Sequence, residues 1–445
     1  MNVNQPAADR TAASLSSPDV IGKGIAALAA RLFPLNRSIT GDGVRETLDI
    51  LDDHVHIDRS EVATGTRAFD WTVPREWKLR AAYIKDPSGR KIVDLTESNL
   101  HVMGYSTPVD ARMTLGELKK HIHTLPEQPD LIPYRTSYYT EDWAFCMRHN
   151  EWLALTEGEY EVVIDSSLFD GSLTYGEILQ PGAIDRTVLF STHICHPSLA
   201  NDNCAGLALQ AFIAAALKER ATRYTYRFLF IPGTIGALTW LSRNPNVLQH
   251  IDHGLVLSCI GDGGGPTYKR TRRGNTMIDR AVSVVRCGGD TAVEIVDFSP
   301  YGYDERQFNA PGFNLPVGQL QRSRFGTFPQ YHTSADDLGF IRPQHLASSY
   351  QMVMDIIDVL ETNWVPLNLF PMGEPQLGRR GLFSATGGHN NVSVGSLAFL
   401  WVLNLADGEY SLLDIAERSG IVYKEISAAA DLLLHHGLLS CLRPG

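Results

Sequence analysis

Residues Asp185 to Gly206 read DRTVLFSTHICHPSLANDNCAG, and the fold follows from how this stretch divides. Thr187, Val188, Leu189 and Phe190 form a short apolar run with β-branched members, which predicts a buried strand. The run opens into a polar cluster of His193, Cys195, His196, Asn201, Asp202 and Asn203. Gly206 to Leu217, GLALQAFIAAAL, is apolar and alanine-rich and predicts a helix. Open α/β sheets build sites in this way, at the carboxyl ends of their strands. Closely spaced imidazole and carboxylate groups suit a divalent metal such as zinc. His193 and Asp202 are spaced to share an ion, with His196 as a further ligand or an outer partner. A bare HxxH spacing is weakly specific, and two ordinary hydrogen-bonded histidines fit this loop equally well.

Downstream, strand and helix patterns alternate. YRFLFIPGTIG leads into ALTWLSRNP, GLVLSCIG into TMIDRAVSVVRC, and AVEIVDF, FNLPVGQL and a long helix from Pro343 to Leu360 follow. Such alternation predicts a mostly parallel sheet covered on both faces. Immediately upstream, YEVVIDSSLFDGSLTYGEILQPG predicts a hairpin. From about Glu61 to Glu157 the chain is rich in aromatics, prolines and short alternating strands, a compact β-rich module whose aromatics are core first and substrate wall second. Two helices precede it, at Val20 to Leu32 and Gly43 to His54. Between them FPLNRSITGDG carries Arg37, a structural arginine or an anion ligand.

Asn363 to Asn391 reads as a Pro- and Gly-rich linker. Helices at Leu397 to Leu405, Ser411 to Glu417 and Tyr423 to His436, with the Gly420, Ile421, Val422 turn, then predict a winged-helix unit. Its presumed recognition helix has Lys424 as its only Lys or Arg. A reader of duplex DNA needs several phosphate-neutralising cations, so protein interaction and self-association are favoured over nucleic acid. His435 and His436 read as a helix-face pair.

The 445 residues allow two or three domains, and 44% hydrophobic with 20% charged residues is an ordinary globular composition. The formal net charge of −11 disfavours nonspecific nucleic-acid binding. No apolar run approaches membrane-span length, and the first twenty residues lack the basic-then-apolar order of a secretory signal. They read as a disordered lead. The six scattered cysteines form no CxxC pair, consistent with reduced thiols in the cytoplasm.

Two more stretches carry candidate chemistry. YHTSADDL, Tyr331 to Leu338, places His332 where it can complete a metal site with His193 and Asp202. YDERQF, Tyr303 to Phe308, holds Asp304 and Glu305, of which at most one faces a given site from a strand. Arg306 either pairs with an adjacent acid or holds a substrate anion. A basic run at Tyr268, Lys269, Arg270, Arg272 and Arg273 is either solvated or an anion site, and Arg322 and Arg324 read the same way. The glycines at 261 and 263 to 265 lack the GK[ST] of a phosphate loop.

In order, HIC at His193, ANDNCAG at Ala200 to Gly206, YDERQF, APGFNLPVG and YHTSADD resemble the motifs of co-catalytic zinc aminopeptidases. With LNRSITGDG and PQLGRRG added, the chain more closely resembles bacterial aminopeptidase-like proteins encoded among saccharide- and natural-product-assembly genes. The resemblance implies a zinc-exopeptidase-like mixed α/β sheet flanked by helices, formed by 1–60 and 158–365. It adds a small inserted β-rich domain at 61–157 and a linker with a C-terminal winged-helix domain at 366–445.

The departures from those peptidases lie at the chemistry. Pro232, Gly233, Thr234 stand where they carry a Glu-Glu pair, and Gly233 removes the base. Their strand-end Asp aligns with Ser258 or Cys259, shortly before Asp262, and the first Asp of their ADDN is Asn201. The resemblance then implies one zinc rather than two, on His193, Asp202 and His332, although in the two-metal relatives the two histidines serve different ions. Glu305, then Asp304, become the candidates for catalytic proton transfer, with Arg306, Tyr303, His196 and Lys269 as substrate contacts. The expected function is metal-dependent hydrolysis of an amide or peptide bond in a small metabolite. A catalytically silent binding protein is the alternative, and a winged-helix regulator a more distant one.

Overall fold

The structure is a computed structural model describing residues 17–287, 291–382 and 394–442. The lead through residue 16 and part of the 363–391 linker lie outside the described residues. The chain forms two compact units, Met1–Gly274 with Glu294–Tyr350, and Asn275–Val293 with Gln351–Gly445.

In the first unit the principal strands are β1 (Asp58–Ala63), β2 (Glu76–Lys85), β3 (Lys91–Asp94), β4 (Val109–Thr114), β5 (Glu159–Phe169) and β6 (Ser172–Gln180). They continue as β7 (Thr187–His193), β8 (Thr225–Ile231), β9 (Ile251–Leu257), β10 (Thr267–Lys269), β11 (Glu294–Val296) and β12 (Val317–Gln321). Its longer helices are α1 (Pro18–Leu32), α2 (Asp42–Asp52), α3 (Ala205–Lys218) and α4 (Ile235–Arg243). Eight strands form one mixed sheet in the order β1-β6-β8-β7-β9-β12-β10-β11. Its middle, β8-β7-β9-β12, is parallel, whereas β1, β6 and β10 join antiparallel.

All seven residues of β7 are buried, which explains its unbroken apolar run: strands on both sides and cover on both faces leave no wet side. From β7 the chain passes through α3 to β8 on one flank, then crosses back to β9 on the other. The strand order therefore reverses at β7, and a crevice opens at its carboxyl end.

The hairpin expected over residues 160–182 does not form. β5 joins a four-stranded antiparallel sheet, β3-β2-β5-β4, while β6 joins the large sheet. Each strand is instead paired along both edges: β5 runs between β2, from Glu161 to Phe169, and β4, while β6 runs between β1 and β8. One hydrophobic core runs through both sheets, including Trp77, Ile84, Val162 and Ile164 beside Leu189, Leu229 and Trp240. The β-rich insertion thus shares its core with the α/β sheet.

The second unit contains α5 (Met277–Ser283), most of α6 (Pro343–Thr362), α7 (Val394–Leu405), α8 (Leu412–Ser419) and α9 (Tyr423–His435). β13 (Val365–Asn368) pairs antiparallel with β14 (Leu439–Leu442) to form the wing. A capping box at Ser411 and Asp414 starts α8, and Gly420, left-handed at φ 69°, ends it. The unit reaches back beyond the linker to include 275–293, because Arg280 of α5 pairs with Asp414 and Glu417 of α8. Among the described residues no helix is long and apolar enough to cross a membrane.

Candidate metal centre and cavity

His193 is the last residue of β7, in register with Ile231 of β8. Its Nε2 lies 2.8 Å from Asp202 Oδ1, and His332 Nε2 lies 3.1 Å from Asp202 Oδ2. One buried carboxylate therefore holds an imidazole on each oxygen. His196 completes the cluster, its ring 4.7 Å from that of His193 and 5.4 Å from that of His332. The donor atoms of His193, His196 and Asp202 all fall within 4.8 Å of one another. The tightest trio is thus not the expected one: His196 takes the third place, while His332 stands on the far oxygen of Asp202.

The loop holding Asp202 is fixed from below. Asp336 Oδ1 accepts the backbone N–H of Asn201 at 2.6 Å, and Oδ2 that of Asp202 at 3.0 Å. Asn203 Nδ2 donates to Thr192 Oγ1 and to the His193 carbonyl, and lies 3.3 Å from His193 Nδ1. α3 can start this close only because residue 206 is glycine: a Cβ there would meet the Asn203 carboxamide. Ser198, Thr234, Cys259 and His332, all in loops following the parallel strands, have φ between 45° and 59°. Left-handed non-glycine residues are costly and concentrate where surrounding structure imposes them, often at functional sites.

Burial opposes ionisation of Asp202, but His196 and His193, with hydrogen bonds from His193 and His332, hold its carboxyl well below the usual carboxylate range. Burial holds the His196 imidazole well below its usual value, against the pull of Asp202. An anionic carboxylate beside a neutral imidazole is the protonation that metal ligation needs.

Gly233 leaves room for a neighbouring phenol. A Cβ on residue 233 would fall on the Tyr303 hydroxyl, so the phenol occupies the space of a side chain at that position. Tyr303 Oη lies 3.2 Å from Cys195 Sγ, which also accepts the Gly233 N–H at 3.3 Å. The Tyr303 ring packs 4.2 Å from that of His193. Burial pushes the Cys195 thiol up to about 12 and the Tyr303 phenol well above its usual value, so both stay protonated at neutral pH.

Within YDERQF, Glu305–Phe308 form a short helical turn rather than a strand, so successive side chains diverge. Asp304 accepts the Thr234 N–H at 2.7 Å through Oδ1, leaves Oδ2 buried without a partner, and is pushed up to about 7 by burial. Glu305 turns the other way. Fully buried, it pairs with Lys269 Nζ at 2.5 Å and accepts the Tyr303 N–H. Lys269 spends its remaining donors on the carbonyls of Ser299 and Tyr301. Two expectations are corrected here: neither Glu305 as base nor Lys269 as substrate contact reaches the cavity, because each neutralises the other in the core.

Arg37 is also structural, donating to the carbonyls of Leu32 and His196 and to Cys204 Sγ. Asp262 is consumed by Asn201, Gly264 and Ser323.

Beside the imidazoles opens a cavity of about 800 Å³. His196, His332, Tyr303, Gly233 and Arg306 line it, together with Trp71, Tyr134, Tyr138 and Tyr139 from the insertion. Tyr134 packs its ring 5.0 Å from both His196 and His332, and its N–H donates to the His332 carbonyl at 2.8 Å. Sequence reasoning missed Asp336 and Tyr134 as individual residues. Their only signals were membership of YHTSADDL and of the aromatic run YRTSYYTEDWAF.

Residues 26–363 match the family model described as Domain of unknown function (DUF4910), and residues 364–441 match a winged helix-turn-helix model. A Clostridium acetobutylicum protein, provisionally named a polysaccharide biosynthesis protein with aminopeptidase-like domain, is 50% identical over 414 residues, covering 93% of this chain and 95% of the relative. The crystal structure of a provisionally named peptidase from Clostridium acetobutylicum superposes with a TM-score of 0.91 at 47% identity, over 98% of this chain and 100% of that one. BSAP, a zinc aminopeptidase from Bacillus subtilis, gives a TM-score of 0.56 at 12% identity over 77% of this chain and 94% of its own, a likeness of fold alone. The core has an aminopeptidase-like fold, a winged helix follows it, and the chain belongs to the DUF4910 family.

Proposed function

We propose that this protein is a zinc-dependent hydrolase cleaving an amide or peptide bond of a small metabolite in saccharide or natural-product assembly. One observation carries the reading: a buried, ionised Asp202 with an imidazole on each oxygen, beside a cavity of substrate size. The donor set suits zinc, two nitrogens and a carboxylate oxygen converging within one ion's reach. His193, Asp202 and His196 would hold it, with His332 on the second oxygen of Asp202. One ion fits better than two, because Gly233 and Cys259 stand where a second would need carboxylates. Bound zinc supplies Lewis-acid polarisation of a carbonyl and acidifies water.

The chain's own groups do the rest. Asp336 fixes the Asp202 loop through two backbone N–H groups. Tyr303, protonated beside the cluster, is a hydrogen-bond donor available to developing negative charge at the carbonyl oxygen. Asp304, pushed up to about 7 by burial, does not line the cavity either, so among the described residues no Asp or Glu stands in it ready for proton transfer. The aromatic wall from the insertion excludes bulk water and limits the size of what enters.

Zinc analysis of purified protein, with turnover of N-acyl and aminoacyl amides before and after His332→Ala, tests this. Bound zinc and substitution-sensitive turnover support it; a metal-free, inert protein overturns it. That second outcome would favour a binding protein, the reading for which Gly233 speaks. The winged helix serves protein contact or self-association: over 364–442, Arg379, Arg380, Arg418 and Lys424 face seven acidic residues, too few cations for a duplex reader. A soluble, cytoplasmic protein is the setting this reading requires.

A further inference from the structure

The cavity beside the imidazoles has a one-sided charge. Arg306 and Arg272 line it, and among the described residues no Asp or Glu does. Arg272 already donates to Asn314 Oδ1 at 3.2 Å. The Arg306 side chain makes no hydrogen bond or ion pair with any described residue, and its Nε is buried without a partner. Its electrostatic attraction to Asp304 is not a contact, since Asp304 Oδ1 is taken by Thr234 and Oδ2 is itself unpartnered. Gln307, the next residue, lines the same cavity with no side-chain hydrogen bond of its own.

Arg306 is half-buried with its Nε closed off, and a buried donor without an acceptor is costly; in native structures such a group calls for a specific explanation, a bound ion among them. The planar fork of arginine fits an oxyanion with two parallel hydrogen bonds. A free α-amine, by contrast, is an ammonium at neutral pH. It would enter a cavity holding two cations and no carboxylate, a like-charge arrangement that recognition sites avoid.

We propose that the cavity takes an amine-blocked, acid-bearing amide, an N-acylated compound whose carboxylate or phosphate rests on Arg306 while its amide lies at the imidazole cluster, rather than a free aminoacyl compound. The amide half rests on the hydrolase reading; the anion half does not. In the reaction, one water adds to the amide carbon, the C–N bond breaks with a proton passing to nitrogen, and one carboxylic acid and one amine leave.

The test is equilibrium binding to zinc-loaded and zinc-free protein. The probes are N-acetyl-alanine, N-acetylglucosamine 6-phosphate, the neutral N-acetyl-alanine amide and the cationic alanine amide. An anionic probe is expected to bind about tenfold or more tightly than the neutral one. Arg306→Met should erase that preference, and Arg306→Lys should restore part of it, with zinc content and melting temperature unchanged in both. Preference for only one anionic probe identifies whether carboxylate or phosphate is the natural group. Tightest binding of alanine amide, or an anion preference that survives Arg306→Met, overturns the proposal. Arg306-dependent anion binding in a protein that holds no zinc and turns nothing over keeps the anion site and overturns the hydrolase reading alone.

Discussion

The hydroxyl of Tyr303 stands where a side chain on Gly233 would begin, so the two positions share one volume. A carboxylate cannot be restored at 233 by a single substitution, because the phenol is already there. The glycine at 233 and the phenol at 303 are therefore one structural arrangement.

Gly233→Ala should cost about 1–3 kcal/mol by overpacking. In a Tyr303→Ala background the same substitution should cost far less, since the colliding group is gone. A double-mutant cycle by urea denaturation measures the coupling. Equal costs in both backgrounds would contradict the shared volume.

Zinc should stabilise the folded protein, by about 2.7 kcal/mol when free metal is a hundredfold above its Kd. His193→Ala should abolish the thermal shift. His196→Ala should weaken it more than His332→Ala does, because His196 belongs to the tighter donor set. The reverse order of the last two would return the third ligand to His332.

Stability should fall as pH rises through the titration of Asp304. Burial pushes its carboxyl up to about 7 from an ordinary 3.8, so the folded state binds the proton more tightly than the unfolded chain. The contribution is fully favourable below about pH 4, declines between there and pH 7, and is lost above, a span on the order of 4 kcal/mol. Asp304→Asn keeps an acceptor for the Thr234 N–H and removes the charge. Its melting temperature should gain on wild type at pH 8 and lose that advantage by pH 4; a constant difference across the range would contradict the shift.

Breaking the buried pair of Lys269 and Glu305 from one side should be severe. Lys269→Met leaves a carboxylate stranded in the core, at about 3–5 kcal/mol, whereas Lys269→Met with Glu305→Leu should recover most of that loss. Denaturation of the three variants decides it. Loss of zinc in these variants without loss of stability would instead return Glu305 to the site.

Much of this was legible in order along the chain. The apolar run at 187–190, the alanine-rich helix after it and the three short helices of the tail each carry their period locally, so β7, α3 and the winged helix could be read from residues alone. The cluster of His193, His196 and Asp202 was readable because its members are at most nine residues apart. His332 was placed with it from its position on the YHTSADDL stretch, with the motif resemblance in support.

Tertiary structure alone decided which neighbour of a pair faces the cavity. Asp304, Glu305 and Arg306 are consecutive, yet a helical turn sends one to a backbone N–H, one to a buried lysine and one to the cavity wall. It also decided that β5 and β6 part into different sheets, and that Asp336 supports Asp202 across 134 residues of sequence. Periodicity records burial against the local axis of a strand or helix. Which distant group meets a given side chain depends on how those axes pack, and no local pattern encodes that.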